Sequence, residues 1–448
     1  SDGLLDIYVC KSGDYKNLDQ RRNELYVNKG NNKDGIPVFE EEASKYSLDL
    51  AHYSTQAAFF DYDKDGDLDM FLINHDYSEK DHLYLNQKNG TFKEVILQAT
   101  NHISNFSMGN DIGDINNDGL LDFISVDMVS NNNYDLKTSM SGMSIKRFQD
   151  IVDQGLHHQY MFNTLQLNNG NFKENDIPAF SEIGKYSGIS NTNWSWAPLL
   201  FDMDNDGWQD VFVSNGILRS FRNNDFVIYK RKRVDRLYKD LEIHKNRDSL
   251  IKTYYDDILA RMPEKKEVNL LYLNNKDFTF SLMNEAWQLN TPSCTNGAVY
   301  ADLDNDGDMD IIGNNINDPA LVYRNNAREL APKNNYLKIK LKGPERNTQG
   351  IGARITVETN EERQTKEQYL SRGFQSSVSE ILHFGVGSSE KIKSLKILWP
   401  DGKIQSISGV SANQQLNLNY ADASIPTSRI NEISNPIFND VTNIVKAN

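Results

Sequence analysis

A nine-residue acidic turn recurs along this chain and constrains its fold more than any other feature of the sequence. Four full copies are present: loop 2 (residues 61–69), loop 3 (114–122), loop 4 (202–210) and loop 5 (302–310). A truncated copy, loop 1 (residues 2–6), opens the chain. Every copy runs directly into a short apolar segment rich in β-branched and aromatic residues, which predicts that a β-strand follows each turn.

Oxygen-bearing side chains stand at alternate positions of each loop, with a glycine at position six. Carboxylates this close together repel one another unless a cation lies among them, and alternate oxygen ligands around a sharp glycine turn suit Ca²⁺. We expect positions one, three, five and nine to bind through side chains and position seven through its backbone carbonyl. The predicted ligands are Asp61, Asp63, Asp65, Asp67 and Asp69 in loop 2; Asp114, Asn116, Asp118, Leu120 and Asp122 in loop 3; Asp202, Asp204, Asp206, Trp208 and Asp210 in loop 4; and Asp302, Asp304, Asp306, Asp308 and Asp310 in loop 5.

Two other interpretations of the loops fit less well. An EF-hand needs a glutamate at position twelve within a helix, whereas position twelve here is Leu72, Ser125, Val213 or Gly313. A single acidic turn can form without any ion, but four copies in register argue against that reading for the set. We therefore expect several structural calcium ions, and leave open whether the truncated loop 1 binds one.

A second motif lies between the loops and predicts a further strand in each unit. It is rich in Leu and Tyr and ends at Asn28, Asn86, Asn168, Asn274 and Asn325. Small units of several short strands are typical of propeller blades, which need neighbours to cover their sheet faces. We predict a mainly β fold in which residues 1–330 form part of a seven-bladed calcium-loop β-propeller, and expect residues upstream of Ser1 to complete the ring.

Two of the repeating units are too long to be blades alone, and the acidic repeats stop after the last loop. Residues 135–159 and 217–266 are predicted to be helical insertions, because apolar residues in them recur at helical spacing. The basic run Lys230–Arg233 in the larger insertion is read as a solvated helix face, with docking to an acidic partner as the alternative. Residues 331–421 predict a small all-β domain, and residues 422–448 a linker toward a further domain.

Composition limits the classes of partner. The chain has a formal net charge of −15, which disfavours binding to nucleic acid or to an anionic membrane surface. No segment approaches the ~18 consecutive apolar residues of a membrane-spanning helix. The histidines show no metal-ligand spacing beyond the adjacent pair His157 and His158, and no catalytic triad or phosphate-binding glycine loop stands out.

The acidic repeats resemble the FG-GAP/VCBS repeats of integrin-α-like β-propellers. Residues 335–416 look like an ASPIC/UnbV domain, on the strength of residues 350–355, 372–376, 383–387 and 399–402. The combination is similar to bacterial cell-surface proteins that are encoded beside starch-utilisation-type TonB-dependent transporters. The resemblance implies calcium in the loops and a place on the extracellular face of the outer membrane, or secretion.

We expect a non-catalytic binding or scaffold protein that recognises a protein partner or a glycan, as an accessory subunit of an outer-membrane nutrient-uptake complex. A purely structural subunit docked to the transporter through residues 217–266 is a variant of this hypothesis. Trp194 and Trp196 could stack on a sugar, although packing between blades is the commoner role for such residues. The alternative is a propeller-type glycosidase or lyase, but the clustered carboxylates that such an enzyme needs are assigned to the loops.

Overall fold

The fold is mainly β, as the sequence predicts, with 39% of residues in strands and 17% in helices. The computed structural model describes residues 3–12, 17–75, 79–138, 144–171, 177–244 and 246–425. The expectations for Asp2 in loop 1 and for residues 426–448 of the linker therefore lie outside the described residues.

Within these residues, five antiparallel sheets follow one another as blades 1 to 5, and each full loop joins the first two strands of its blade. The strands are Ile7–Val9, Glu24–Asn31 and Pro37–Glu41 in blade 1; Ser54–Phe60, Asp69–Asn74, His82–Asn86 and Phe92–Glu94 in blade 2; Asn110–Gly113, Asp122–Ser125, Thr164–Asn168 and Phe180–Glu182 in blade 3; Asn193–Phe201, Asp210–Asn215, Leu270–Asn274 and Phe280–Leu282 in blade 4; and Thr295–Ala301, Asp310–Asn315 and Leu321–Tyr323 in blade 5. In blades 2 to 5 the second strand begins at position nine of the loop, so a strand and not a helix follows each turn. The number of blades in a complete ring stays a prediction.

The apolar cores lie between neighbouring blades, because each sheet has two faces to cover. Between blades 2 and 3, Phe60 and Phe71 pack against Phe123, with 4.3 Å between the ring centroids of Phe71 and Phe123. A second core between blades 3 and 4 contains Ile124 and Val211. Similar cores join blades 1 and 2 and blades 4 and 5, so the inner strands of blades 2 to 5 stand side by side.

Short strand pairs and helices lie in the segments that connect the strands. Parallel Ile103–Ser104 and Gln159–Tyr160 form one pair and antiparallel Glu267–Val268 and Pro292–Ser293 another, while Met128–Val129 pairs with the start of the inner strand of blade 4. The helices are α1 (Ile96–Ala99), α2 (Asn133–Thr138), α3 (Ile145–Asp153), α4 (Asn224–Ile243), α5 (Arg247–Ala260) and α6 (Ala327–Leu330), with short 3-10 turns at Leu18–Arg21, Ala43–Tyr46 and Tyr420–Asp422.

The two insertions lie on the face opposite the loops. The second strand of each blade leads away from its loop, so the chain that follows its far end emerges on the other side of the ring. Helices α2 and α3 come after the second strand of blade 3 in this way, and α4 and α5 come after Asn215 at the end of the second strand of blade 4. No helix in the described part of the chain is long and apolar enough to cross a membrane.

The C-terminal domain consists of a three-stranded and a four-stranded sheet around one core, with a separate two-stranded sheet. Its strands are Asn335–Lys342, Arg354–Glu358, Arg363–Glu367, Ser371–Arg372, Ser376–Ser377, Ile381–Gly387, Lys391–Leu398, Ile404–Ser411 and Gln414–Asn419. Phe384 and Ile397 are fully buried where the sheets meet, and Trp399 is 1% exposed. The domain lies against the loop face of the propeller, which places it beside all four full loops.

Candidate metal centres on the loop face

Each loop is closed by hydrogen bonds from its own backbone to its position-one carboxylate. In loop 3, Asp114 accepts bonds from the backbone N–H groups of Asp118 at 3.1 Å and Gly119 at 2.9 Å. Loops 2 and 4 repeat this pair of bonds, whereas in loop 5 Asp302 accepts a described backbone bond from Gly307 alone. These bonds wrap the chain around a small space into which the alternate side chains point.

Two residues of each loop adopt the left-handed conformation, which explains the glycine. Position six is glycine in every full loop, with φ between 81° and 99°. Position four is also left-handed, at Lys64, Asn117, Asn205 and Asn305, with φ between 58° and 62°. Asparagine adopts this region more readily than most residues, so three of the four loops carry a residue suited to the turn.

The position-nine aspartates anchor the second strand as well as facing the loop. One oxygen of each accepts a bond from the backbone N–H at position two, at 2.9–3.3 Å. The other oxygen accepts a bond from the backbone N–H of the asparagine at the end of the next strand, or two residues beyond it for Asn325, at 2.7–2.9 Å. Asp6 accepts the same bond from the Asn28 backbone N–H at 2.8 Å, so this hydrogen bond is also present at the truncated loop 1.

The amide side chains of these asparagines join consecutive blades, a role that the sequence motif alone did not reveal. Asn168 of blade 3 donates to the carbonyl of Tyr62 in loop 2 at 3.0 Å. Asn274 of blade 4 donates to Ile115 in loop 3 at 3.0 Å, and Asn325 of blade 5 donates to Met203 in loop 4 at 2.7 Å. We call these three contacts the inter-blade amide bonds.

The structure brings together three groups of predicted ligands whose oxygens lie within 4.8 Å of one another. They are Asp61, Asp63 and Asp69 in loop 2; Asp202, Asp204 and Asp206 in loop 4; and Asp302, Asp304 and Asp306 in loop 5. In loop 3 the matching positions include an amide, Asn116, whose oxygen accepts from Asp118 N–H at 3.3 Å. The remaining predicted ligands at positions five, seven and nine stand in the same loops around these groups.

The electrostatics of the loops fit a bound cation. Burial raises the pKa of Asp63 to about 7 and that of Asp69 to about 9, and it raises the pKa of Asp114 to about 7. Burial also raises the pKa of Asp202 and of Asp210 well above the usual range, with repulsion from neighbouring carboxylates adding to it. A divalent cation among these groups would reverse the effect, because it favours the charged form.

Orphaned oxygens point in the same direction. Asp302 Oδ1 and Asp308 Oδ1 are buried and have no hydrogen-bond donor within the described residues. A buried carboxylate oxygen without a partner costs free energy, and oxygen is the ligand that Ca²⁺ prefers. Both oxygens belong to loop 5, and together with the converging carboxylates of loops 2 and 4 they make the residues present fit a hard divalent cation.

The C-terminal domain contacts every full loop. Arg354 donates to the carbonyl of Gly119 in loop 3 at 2.7 Å and lies 3.5 Å from Asp61 Oδ2 in loop 2. The indole of Trp208 in loop 4 donates to Glu362 at 2.7 Å. Lys338 lies 2.6 Å from Asp302 Oδ2 in loop 5. The loop face is thus an interface between the two domains of one chain.

A segment of the C-terminal domain, residues 369–377, also reaches the inner strands of the propeller. We call it the tongue. Gly373 exchanges two backbone hydrogen bonds with Asn110, at 3.0 and 3.2 Å. Gly373 has φ +69°, and an added Cβ would lie 3.0 Å from the Ala197 side chain. A larger residue would be strained and crowded at this position.

Asp111 is the polar centre of the tongue contact. Its side chain is fully buried and accepts bonds from Arg372 at 2.9 Å and from the Tyr369 hydroxyl at 2.7 Å. Its second oxygen accepts a bond from the backbone of Leu200 in blade 4 at 2.7 Å. One carboxylate therefore joins blade 3, blade 4 and the C-terminal domain.

The two tryptophans predicted as possible ligand contacts lie at the end of blade 4 away from the loops. Trp196 is half-buried against Phe374 of the tongue, and its indole N–H donates to the Gly216 carbonyl at 2.7 Å. Trp194 is half-buried beside Phe221 and below the guanidinium of Arg222. Both have packing partners, and a role in ligand binding stays a prediction.

Comparisons with known proteins identify both parts of the chain. The family described as FG-GAP-like repeat matches residues 1–72, 61–125 and 255–313, and the family described as ASPIC and UnbV matches residues 343–425. Loop 4 lies outside the matched segments, although its hydrogen bonds are those of loops 2 and 3. No curated protein matches the chain.

Among solved structures, the chain is similar to the crystal structure of the V. cholerae biofilm matrix protein Bap1. The two share 11% identity with a TM-score of 0.27, over 91% of this chain and 59% of that chain. The chain thus spans less than two thirds of that protein, and so weak a superposition carries no argument about function. FG-GAP repeat proteins are typically extracellular or surface-exposed and commonly bind calcium, which indicates a surface or binding protein.

Proposed function

We propose that this chain, which carries FG-GAP-like repeats followed by a C-terminal ASPIC and UnbV domain, is a non-catalytic, calcium-stabilised binding or scaffold protein of the bacterial cell surface. The observation that carries the proposal is the repeated loop, in which buried carboxylates converge without enough protein cations to balance them. Calcium bound there would supply positive charge and oxygen coordination. The chain's own residues set the shape of each loop and join it to the next blade.

The loops act as structural sites in this proposal because the C-terminal domain covers part of each of them. In loop 5, Asp302 is 5% exposed beside Lys338, whereas Asp304 is 40% exposed. The C-terminal domain thus closes part of this face to a large ligand. Recognition is therefore assigned to the opposite face, where loops and insertions on a rigid scaffold commonly carry binding.

The helical hairpin of α4 and α5 is the main candidate for that recognition. It is closed by hydrogen bonds from Tyr229 to Asp257 and from Tyr254 to Asp240. Large apolar side chains on its outside stay exposed, among them Ile228 at 54% and Tyr238 at 66%. Exposed apolar groups beside basic residues suit a protein partner with an acidic surface, and we propose an outer-membrane transporter or another surface protein.

A glycan ligand and an accessory role in an outer-membrane nutrient-uptake complex are part of the same proposal. Co-purification from membranes tests the partner: we expect a stable complex with a TonB-dependent transporter, lost in Ile228→Ser/Tyr238→Ser. A glycan array with and without EDTA tests the sugar. Turnover of a polysaccharide by the pure protein would contradict the non-catalytic assignment.

Calcium binding itself is tested by isothermal titration of the whole chain. We expect Ca²⁺ to bind in the millimolar range or tighter, and Asp206→Asn to remove one site. A titration without heat or stoichiometric binding, on protein shown to be folded, would contradict the calcium proposal.

A further inference from the structure

We propose that cations of the protein itself partly neutralise loop 5 by pairing with three of its five aspartates, so that it takes up calcium only at concentrations well above those that fill loops 2 and 4. This inference rests on the proposed calcium binding. Its first support is Arg324, which follows the last strand of blade 5. The guanidinium lies 2.7 Å from Asp304 Oδ2 and 3.2 Å from Asp306 Oδ2.

The second support is Lys338, which belongs to the C-terminal domain and not to the propeller. Its ammonium group lies 2.6 Å from Asp302 Oδ2, and both side chains are more than nine-tenths buried. Positions one, three and five of loop 5 are therefore each paired with a protein cation. These are three of the side chains that a calcium ion would need.

Loops 2 and 4 differ at these same positions. In loop 4, Lys276 pairs with Asp206 at 3.0 Å, whereas no protein cation in the described residues lies within 4.0 Å of Asp202 or Asp204, and the buried ammonium of Lys366 acts on Asp202 only at longer range. In loop 2, Lys88 pairs with Asp65 at 3.1 Å and Arg354 lies 3.5 Å from Asp61, while Asp63 forms no ion pair in the part of the chain described. Position three is thus unpaired in both loops and paired only in loop 5.

Calcium entering loop 5 must compete with these side chains. Loops 2 and 5 each have two protein cations at contact distance, but those of loop 5 hold positions one, three and five together, whereas those of loop 2 leave Asp63 unpaired. Positive charge at all three positions weakens the attraction of the carboxylates for an added divalent ion. Displacing Lys338 would also leave a buried ammonium without its partner, which is strongly unfavourable. Because Lys338 is part of the domain interface, filling loop 5 would oppose the seating of the C-terminal domain.

Counting bound calcium in the whole chain tests the inference. At free calcium tenfold above the midpoint of the tight sites, native mass spectrometry should show one ion fewer for Asp206→Asn and no loss for Asp306→Asn. The double variant Arg324→Gln/Lys338→Met should bind one ion more than the unmodified chain, with affinity at loop 5 raised at least about tenfold.

Arg328→Gln is the matched control. This substitution also removes one positive charge near loop 5, but the Arg328 guanidinium donates to the Asn334 carbonyl at 2.7 Å. We expect it to leave the calcium count unchanged. Loss of an ion in Asp306→Asn, or no gain in the double variant, would overturn the inference while leaving calcium binding intact. If Asp306→Asn does not fold, the double variant decides, and if Asp206→Asn also loses no ion, the calcium proposal itself fails.

Discussion

On the loop face, four turns of equal length share most of their hydrogen bonds, whereas the opposite face carries insertions of unequal length that share no pattern. The repeated face is polar, covered by the C-terminal domain and joined from blade to blade by amide bonds. The opposite face holds α4 and α5, whose exposed side chains include Ile243 and Tyr255 at 76% and 60%. One face thus holds the repeated contacts between blades, and the other carries the variable insertions to which we assign recognition in our proposal.

The largest expected effect is the removal of calcium. At a few millimolar calcium, sites of the strength usual in extracellular modules would contribute roughly 1–2 kcal/mol each, or about 3–6 kcal/mol for three sites. We expect EDTA to lower the melting temperature measured by differential scanning fluorimetry, and excess calcium, but not magnesium, to restore it. An identical melting curve in EDTA would show that calcium in the loops does not stabilise this face.

Breaking the tongue contact should be nearly as severe. Asp111→Ala leaves Arg372 buried without its carboxylate, which costs about 3–5 kcal/mol. Urea unfolding measures the change, and a matched control is Glu358→Ala. Glu358 pairs with Lys393 across a surface where these side chains are 37% and 60% exposed, so its loss should cost at most about 1 kcal/mol. Equal costs for both variants would contradict the role of Asp111 as a joint between domains.

The inter-blade amide bonds should have an intermediate effect. Asn168→Ala removes the donor to Tyr62 and leaves buried carbonyls unpaired, at a cost of about 1–3 kcal/mol. Asn86→Ala is the control, since its amide donates to Leu68 in its own blade at 3.1 Å and makes no described bond to blade 1. A smaller loss of unfolding free energy for Asn86→Ala would show that the link between blades, and not the amide alone, contributes the stability.

The smallest effect on stability is expected on the opposite face. Ile228→Ser/Tyr238→Ser changes exposed side chains, so the free energy of unfolding should change by no more than about 0.5 kcal/mol. Binding to the membrane partner should nevertheless be lost, as measured by co-purification. Full retention of the complex would place the recognition surface elsewhere on the molecule.

The sequence predicts the loops well because their determinants are local. The glycine at position six and the alternating carboxylates all act within nine residues, and the strand expected after each loop is present, beginning at position nine itself. The motif ending at Asn168 or Asn274 is also visible as a repeat. Its function could not be read from the sequence, because the partner carbonyls of Tyr62 and Ile115 lie more than 100 residues away.

The arrangement of the two domains cannot be predicted from local sequence patterns either, because the residues that join the domains are far apart along the chain. Residues 372–376 marked the C-terminal domain as a recognisable module, but nothing near them indicates that Arg372 meets Asp111, which is 261 positions earlier. Lys338 sits in a strand whose alternation predicts only one polar side. This side faces loop 5 because of how the two folded domains pack together, and the alternation of residues in a strand does not predict such packing.

The inter-blade amide bonds have a direction, since each asparagine reaches back to the loop of the blade before it. A blade leaving the ribosome would therefore complete the polar pairing of the one already made, and the ring would be fastened in order of synthesis. The C-terminal domain, translated after every blade described here, would arrive last and close over turns that are already aligned. A circular permutation that places this domain first would remove that order while preserving every contact.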